Sequence, residues 1–218
     1  MGWAVLFLSL ASTAQAAVIT RLPGKARVIA LTLDACEGPT RAALDHPIVS
    51  YLHEQAVPFT VFMGGRFARD NAEAVRALAG DVNVEIENHS FSHLQDMRKL
   101  TDEQIRAEVD RAQAIIKSIT GRTTRLFRFP AGRTDERTTA VVEAMGYKVV
   151  HWRFASGDPD PALSAASILS DTLSRVRAGD VLIFHINGRG VHTLEVLSEL
   201  IPTLRQRGYS FMRLDQVL

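Results

Sequence analysis

The sequence of 218 residues contains one cysteine, Cys36. A single cysteine excludes an internal disulfide and any zinc site built from several cysteines of one chain. Because free cysteine is usually buried, we interpret Cys36 as a small buried residue at the end of a strand, with a reactive nucleophile as the alternative.

The sequence also lacks an excess of one charge and any low-complexity tract or internal repeat. Its 25 Lys and Arg residues are matched by 24 Asp and Glu residues, for a net charge of +1. The basic residues form no stripe, so a nucleic-acid partner is not expected. This length and balance are typical of one globular domain.

The N-terminus has the only long apolar run. Residues 3–10 are mostly apolar, and Ala14-Gln15-Ala16 offers a small-residue cleavage site. We therefore predict a signal peptide over 1–16, a catalytic domain over 17–218, periplasmic or secreted localisation, and no stable membrane anchor after cleavage. No Lys or Arg precedes the run, which a start codon assigned too late would explain; an N-terminal strand is the alternative.

After residue 26, short apolar runs alternate with amphipathic stretches. Thr101 and Gln104 form a capping-box pattern at the start of one such stretch. The alternation predicts a parallel sheet, open or closed into a barrel. Strands are predicted at 27–33, 59–63, 82–86, 126–129, 148–152, 181–185 and 209–214, and helices at 41–54, 71–78, 101–120, 135–145, 164–176 and 193–206.

Four reactive side chains lie at or just past the carboxyl ends of predicted strands, namely Asp34, His89, Arg128 and His185. Because the carboxyl ends of parallel strands share one rim, we expect these residues to meet there. His93 follows His89 by four residues, so a helical turn would place both imidazoles on one face, where they could hold zinc or a similar divalent ion.

In order along the chain, these segments resemble the NodB-like polysaccharide deacetylases of carbohydrate esterase family 4. The resemblance covers about residues 26–218 and rests on four motifs. They are Thr32-Leu33-Asp34 for the start of T-F-D-D-G, His89-Ser90-Phe91-Ser92-His93 for H-[ST]-x-x-H, Arg128-Phe129-Pro130-Ala131-Gly132 for R-x-P-x-G, and Leu182-Ile183-Phe184-His185 for L-x-x-H.

The resemblance implies a distorted, incomplete (β/α) barrel and metal-dependent removal of acetyl groups from N-acetylated glycans. It implies that His89 and His93 hold the metal, which would be zinc, with cobalt or nickel as alternatives. Asp34 would be the general base, Arg128 would orient Asp34, and His185 would be the general acid. Pro130 and Gly132 of the R-x-P-x-G segment are interpreted as substrate-binding residues.

The family's second aspartate, which is its third metal ligand, falls at Ala35. A methyl group cannot bind a metal, and a catalytic zinc site usually has three protein ligands. The replacement ligand could be Asp34 or Asp45, with Glu37 ranked lower, or a water could take the position.

Two further departures affect the site. Asp158 lies where relatives carry an aspartate-rich motif, so it could pair with Arg128 or belong to an ordinary turn. Asn187, together with the loop 188–190, could contact sugar hydroxyls. His151 and His192 are interpreted as structural or surface residues.

The sequence thus predicts a monomeric hydrolase that acts on acetylated glycan, either peptidoglycan or a chitin-like oligosaccharide. Two alternatives are open: a related metal-dependent hydrolase of another non-peptide carbon–nitrogen bond, and a catalytically silent glycan-binding protein that has lost a ligand at Ala35.

Overall fold

A computed structural model describes residues 17–24, 26–37 and 41–218. The predicted signal peptide, 1–16, lies outside these residues. None of the helices in the described part of the chain combines the length and apolar character needed to cross a bilayer.

Strands and helices alternate along the chain. The strands are β1 Val28–Ala35, β2 Phe59–Met63, β3 Val84–Asn88, β4 Leu126–Phe127, β5 Lys148–Val149, β6 Val181–His185 and β7 Ser210–Phe211. The helices are α1 His46–Glu54, α2 Gly65–Asp70, α3 Ala72–Ala79, α4 Asp102–Thr120, α5 Glu136–Ala144, α6 Ala165–Arg175 and α7 Thr193–Gln206.

The strands form one parallel sheet in the order β5-β4-β3-β2-β1-β6, and β7 pairs with the start of β1. The two edge strands of the described sheet, β5 and β6, do not pair with each other. The segment 19–21 bridges them, because Ile19 pairs with Val150 just after β5 and Arg21 pairs with Asp180 just before β6. The predicted incomplete barrel is therefore confirmed, with an N-terminal segment covering its open side.

Strand β1 separates two environments by simple alternation of its side chains. Leu31, Leu33 and Ala35 belong to the large apolar cluster shared with the helices. Thr32 and Asp34 lie on the opposite face, which lines the inside of the curved sheet and is also fully or almost fully buried. A buried polar interior near the end of β1 is where the reactive residues collect.

Local signals predicted most elements well. The bounds of β2, β6 and α7 match the prediction, and Thr101 and Gln104 form the expected reciprocal capping box of α4. Helix α1 begins at His46 instead of 41, with Pro47 in its first turn. Helix α2 was not predicted.

The missed helix has a clear packing role. A Cβ atom at Gly65 would lie 2.8 Å from Cα of Ala112, so glycine permits α2 to lie directly against α4. The pair Gly64-Gly65 therefore does more than end β2, since the second glycine starts a tightly packed helix.

Candidate active site

Asp34 and Arg128 form a buried ion pair at the carboxyl ends of β1 and β4. Arg128 Nη1 donates to Asp34 Oδ1 at 2.7 Å, and Arg128 Nε donates to the carbonyl of Val150. The guanidinium is fully buried and lies 3.9 Å from the centroid of the Phe62 ring. Burial opposes ionisation of Asp34, but the positive charge and the hydrogen bond of Arg128 lower its pKa to about 2. Asp34 is therefore a carboxylate at neutral pH.

His89 follows β3 and has one ring nitrogen free for a ligand. Its Nδ1 lies 2.8 Å from the carbonyl oxygen of Arg128, which can only accept, so Nδ1 carries the proton. Nε2 then has a lone pair and makes no hydrogen bond, although Asp34 Oδ2 lies 3.4 Å from it. Burial lowers the pKa of His89, so the ring is neutral.

The histidine segment is a loop and not the helical turn that would give a shared face. Ser90 and His93 adopt left-handed backbone with φ values of 63° and 54°. The two imidazoles nevertheless meet, with ring centroids 5.0 Å apart. Burial and the neighbouring His89 lower the pKa of His93 to about 3.

Glu108 of α4 holds this loop in place. Its carboxylate accepts from the backbone N–H of Phe91 at 3.1 Å, and from the N–H and hydroxyl of Ser92 at 2.8 and 2.9 Å. The Ser90 hydroxyl in turn accepts from the N–H of His93. These bonds stabilise a strained loop conformation that points both histidines inward.

Cys36 lies beside the two histidines. Its Sγ, one ring nitrogen of His89 and one of His93 all lie within 4.8 Å of one another. The prediction that Cys36 is buried is confirmed, since it is 0% exposed. Burial and the nearby Asp34 carboxylate raise the pKa of its thiol to about 12.

Glu37 and Asp45, proposed besides Asp34 as replacement ligands, lie away from the cluster of Cys36 and the two histidines. Glu37 is surrounded by Asp70 and by several arginines, including Arg66. Asp45 is the N-cap residue of α1 and lines a neighbouring cleft. Neither joins the histidines in the cluster of possible ligands found in the described residues.

His185 ends β6 and is held by Asp158. Its Nδ1 lies 3.0 Å from Asp158 Oδ1, and its backbone N–H donates to Asp158 Oδ2 at 2.8 Å. Asp158 also accepts from the hydroxyls of Ser156 and Thr193. Burial would raise the pKa of Asp158, but these hydrogen bonds and the charge of His185 lower it overall. The suggestion that Asp158 pairs with Arg128 is wrong, because that arginine binds Asp34.

These groups open into a cavity of about 190 Å³. Asp34, His93, His185 and the half-buried Trp152 line it. The other predicted rim residues, Arg128 and His89, lie 2.7 and 3.4 Å from the Asp34 carboxylate. A second cleft of about 700 Å³ adjoins it and shares His93, Gln95 and Arg189 with it. These three residues are common to the walls of both spaces, which together are called the groove.

The predicted substrate-binding residues, Pro130, Gly132 and Asn187, differ in how far they are exposed. Pro130 is buried, and the exposed neighbour that lines the cavity is Ala131. Gly132 has a φ of 64°, and a Cβ there would lie 2.9 Å from the Trp152 ring. Asn187 is 4% exposed and donates through Nδ2 to the carbonyl oxygen of Cys36.

His151 and His192 lie where the sequence suggested. His151 is buried against the rings of Phe129 and Trp152, and burial lowers its pKa to about 3. His192 lies at the start of α7, with Nδ1 3.3 Å from Glu195.

The place of Cys36 beside the histidines and the pairing of Asp158 with His185 were missed from sequence. Cys36 stands two positions after Asp34, and this period of two is the signal that could have placed both on the inner face. No local signal pairs Asp158 with His185, because the two positions are 27 apart in sequence and only the fold brings them together.

Residues 21–150 match the family model described as polysaccharide deacetylase. The chain is 24% identical over 203 residues to the peptidoglycan-N-acetylglucosamine deacetylase of Bacillus cereus, covering 92% of each protein. It spans less than two thirds of three other curated relatives, 64%, 30% and 65% of their lengths.

Solved structures share the fold. A carbohydrate esterase family 4 pseudoenzyme from Bacillus anthracis matches with a TM-score of 0.81 and 20% identity, over 92% of this chain and 68% of that one. A family 4 acetyl xylan esterase from Clostridium thermocellum, solved with a cobalt ion, matches with a TM-score of 0.76 and 28% identity, over 87% and 89%. The predicted barrel of the polysaccharide deacetylase type is thereby confirmed.

Proposed function

This chain belongs to the polysaccharide deacetylase family, and from that membership we propose that it is a metal-dependent hydrolase that removes acetyl groups from an N-acetylated glycan. The observation that carries the proposal is the convergence of Asp34, His93 and His185 on one cavity, with His89 behind them. The substrate class is peptidoglycan or a chitin-like oligosaccharide, in agreement with the relative that deacetylates peptidoglycan N-acetylglucosamine.

The residues at the end of β3 fit a divalent metal ion. His89 Nε2 is a buried nitrogen without a hydrogen-bond partner, and the second imidazole lies beside it. Both rings are neutral because burial lowers their pKa values, and neutral imidazole is the form that binds metals. A bound ion would polarise the acetyl carbonyl and make water more acidic.

Asp34 is the general base in this proposal. Its Oδ1 is engaged by Arg128, whereas Oδ2 faces His89 Nε2 and is free to accept a proton. The ion pair keeps Asp34 ionised and fixes its orientation. Since a carboxylate with a pKa of about 2 is a weak base, it depends on a water of increased acidity.

His185 is the general acid. Asp158 holds Nδ1–H, so the opposite nitrogen, Nε2, is the one available for proton transfer at the cavity. An amine is a poor leaving group unless it is protonated as the carbon–nitrogen bond breaks. His185 therefore supplies the acid that protonates the leaving nitrogen, and Asp34 supplies the base that takes a proton from the attacking water.

The groove extends beyond the reacting centre. Arg41, Gln95 and Arg189 line the larger cleft, and Trp152 provides an aromatic wall in the smaller one. Such polar and aromatic surfaces suit a sugar chain longer than one residue. The apolar run at 3–10 further supports a periplasmic or secreted protein that meets cell-wall glycan.

The test is acetate release from N-acetylglucosamine oligomers and from peptidoglycan. The purified protein is assayed after chelator treatment and again with zinc or cobalt restored. Asp34→Asn and His185→Ala should each reduce kcat by about 100-fold or more, the range for loss of a positioned acid or base. His192→Ala, at a histidine outside the cavity, should retain activity.

Full acetate release by both active-site variants would contradict this mechanism. Hydrolysis of other carbon–nitrogen bonds, with no acetate from any glycan, would favour the related hydrolase. Glycan binding without metal uptake or turnover would favour the silent binding protein.

A further inference from the structure

Cys36 occupies a polar position and not an apolar one. It is fully buried, yet it is absent from the three apolar clusters formed by the described residues. Asn187 Nδ2 lies 3.5 Å from its sulfur and Arg189 Nη1 lies 4.0 Å away. Polar donors, and not apolar side chains, therefore contact this sulfur.

A second, independent observation points to a ligand at the same place. His89 is 1% exposed, and its Nε2 has no hydrogen-bond partner. An unpartnered buried nitrogen costs free energy, so it normally serves a purpose. The same histidine belongs to the cluster in which one donor atom each of Cys36, His89 and His93 lie within 4.8 Å of one another.

We propose that Cys36 Sγ is the third protein ligand of the divalent metal, completing a Cys–His–His site in this chain. The inference rests on the proposed function, because it assigns the ligand set of the same site. It explains how the chain tolerates Ala35, whose side chain is buried in the helix-facing cluster. Strand alternation turns the next residue, Cys36, towards the inner face that carries Asp34.

The donor set also predicts which metal binds. One thiolate and two imidazoles suit zinc or cobalt, whereas magnesium and manganese prefer oxygen ligands. Binding requires the thiol to lose its proton to solvent, so one proton should be released as the sulfur–metal bond forms. Asp34 stays paired with Arg128 and is left free of the metal to act as the base.

The test is the absorption spectrum of the cobalt-substituted protein, measured without substrate. The chain has one cysteine, so a near-ultraviolet thiolate-to-cobalt charge-transfer band can arise only from Cys36. Wild type should show this band. Cys36→Ser should lose it and bind zinc more than about 100-fold more weakly, because even partners of ligands affect metal affinity by 10- to 100-fold.

Two further variants separate the alternatives. Cys36→Asp should bind metal again through a carboxylate but without the band. Asp45→Asn, at an acidic residue that lines the larger cleft and was considered as a replacement ligand, should retain both the band and the zinc affinity. Circular dichroism and the melting temperature of each metal-free variant check that it folds.

Absence of the band in cobalt-loaded wild type, or unchanged zinc affinity in Cys36→Ser, would overturn the assignment. These outcomes are independent of turnover. Metal-dependent acetate release without the band would leave the proposed function intact and remove Cys36 from the ligand set. The band without acetate release would retain the ligand and contradict the deacetylase.

Discussion

Single side chains in this site act through partners that fix their protonation and direction. Arg128 keeps Asp34 ionised at 2.7 Å, and Asp158 holds His185 at 3.0 Å. Asp158 is fully buried and has four hydrogen bonds to His185, Ser156 and Thr193. A carboxylate with that many donors is a rigid support for the imidazole.

Asp158→Asn tests this support. The amide keeps an acceptor, but its NH₂ group faces one of the present donors, so the His185 ring loses its fixed orientation. We expect kcat for acetate release to fall by about 100-fold with little change in KM, because the acid acts on the leaving group and not in binding. Steady-state kinetics measure both values.

Asp160→Asn is the matched control, since it makes the same change two residues away at an exposed position. Equal losses in the two variants, or a change confined to KM, would argue against a positioning role for Asp158.

At the scale of elements, helix α4 supports the histidine loop, residues 89–93, from outside the sheet. Its apolar face is buried through Ile105, Val109, Ala112 and Ile116. That packing fixes Glu108, whose carboxylate accepts three hydrogen bonds from the loop. The geometry of the histidine loop therefore depends on how α4 is docked.

Glu108→Ala should loosen this loop. Two backbone N–H groups lose their acceptor, which we expect to lower the free energy of unfolding by about 1–3 kcal/mol. Hydrogen exchange at Phe91 and Ser92 should accelerate, and zinc affinity should fall by about 10- to 100-fold. Calorimetry and exchange measurements check the two effects.

Asp110→Ala, on the exposed side of the same helix, should change neither the exchange nor the affinity. Unchanged exchange at Phe91 and Ser92 in Glu108→Ala would show that the helix does not hold the loop.

At the scale of the whole molecule, the interior of the half-barrel also buries acidic groups on β3, the strand that leads into the histidine loop. Glu85 and Glu87 alternate onto the inner face of β3, and each is 5% exposed. Glu87 Oε2 accepts from the N–H groups of Arg125 and Leu126. Burial is the largest cause that raises the pKa of both carboxyl groups, and their mutual proximity raises that of Glu87 further.

The raised pKa of Glu87 gives stability a pH dependence. The folded protein holds its proton more tightly than the unfolded chain, so the stabilisation is complete below the ordinary value of 4.5 and is lost as pH rises above it. We expect the melting temperature to fall towards alkaline pH. Glu87→Gln, which keeps an acceptor for the two N–H groups, should flatten that fall.

Glu103→Gln, at an exposed position, is the control and should leave the slope unchanged. A slope in Glu87→Gln equal to that of wild type would place the titration elsewhere in the molecule.

The sequence by itself determined the alternation of strands and helices, because apolar periodicity and caps are local signals. The capping box at Thr101 and the exact bounds of β6 and α7 illustrate this. It also determined that Asp34, His89, Arg128 and His185 would meet, since parallel strands bring their carboxyl ends to one rim.

Only the tertiary structure decided which of these groups contact each other. Three contacts join residues that are distant in sequence. They are the pairing of Asp158 with His185, the hydrogen bonds from the histidine loop to Glu108, and the position of Cys36 beside the two histidines. Such contacts depend on helix docking and on loop backbone such as the left-handed His93. No local pattern predicts these contacts, because each distance depends on how the strands, helices and loops of the whole domain pack together.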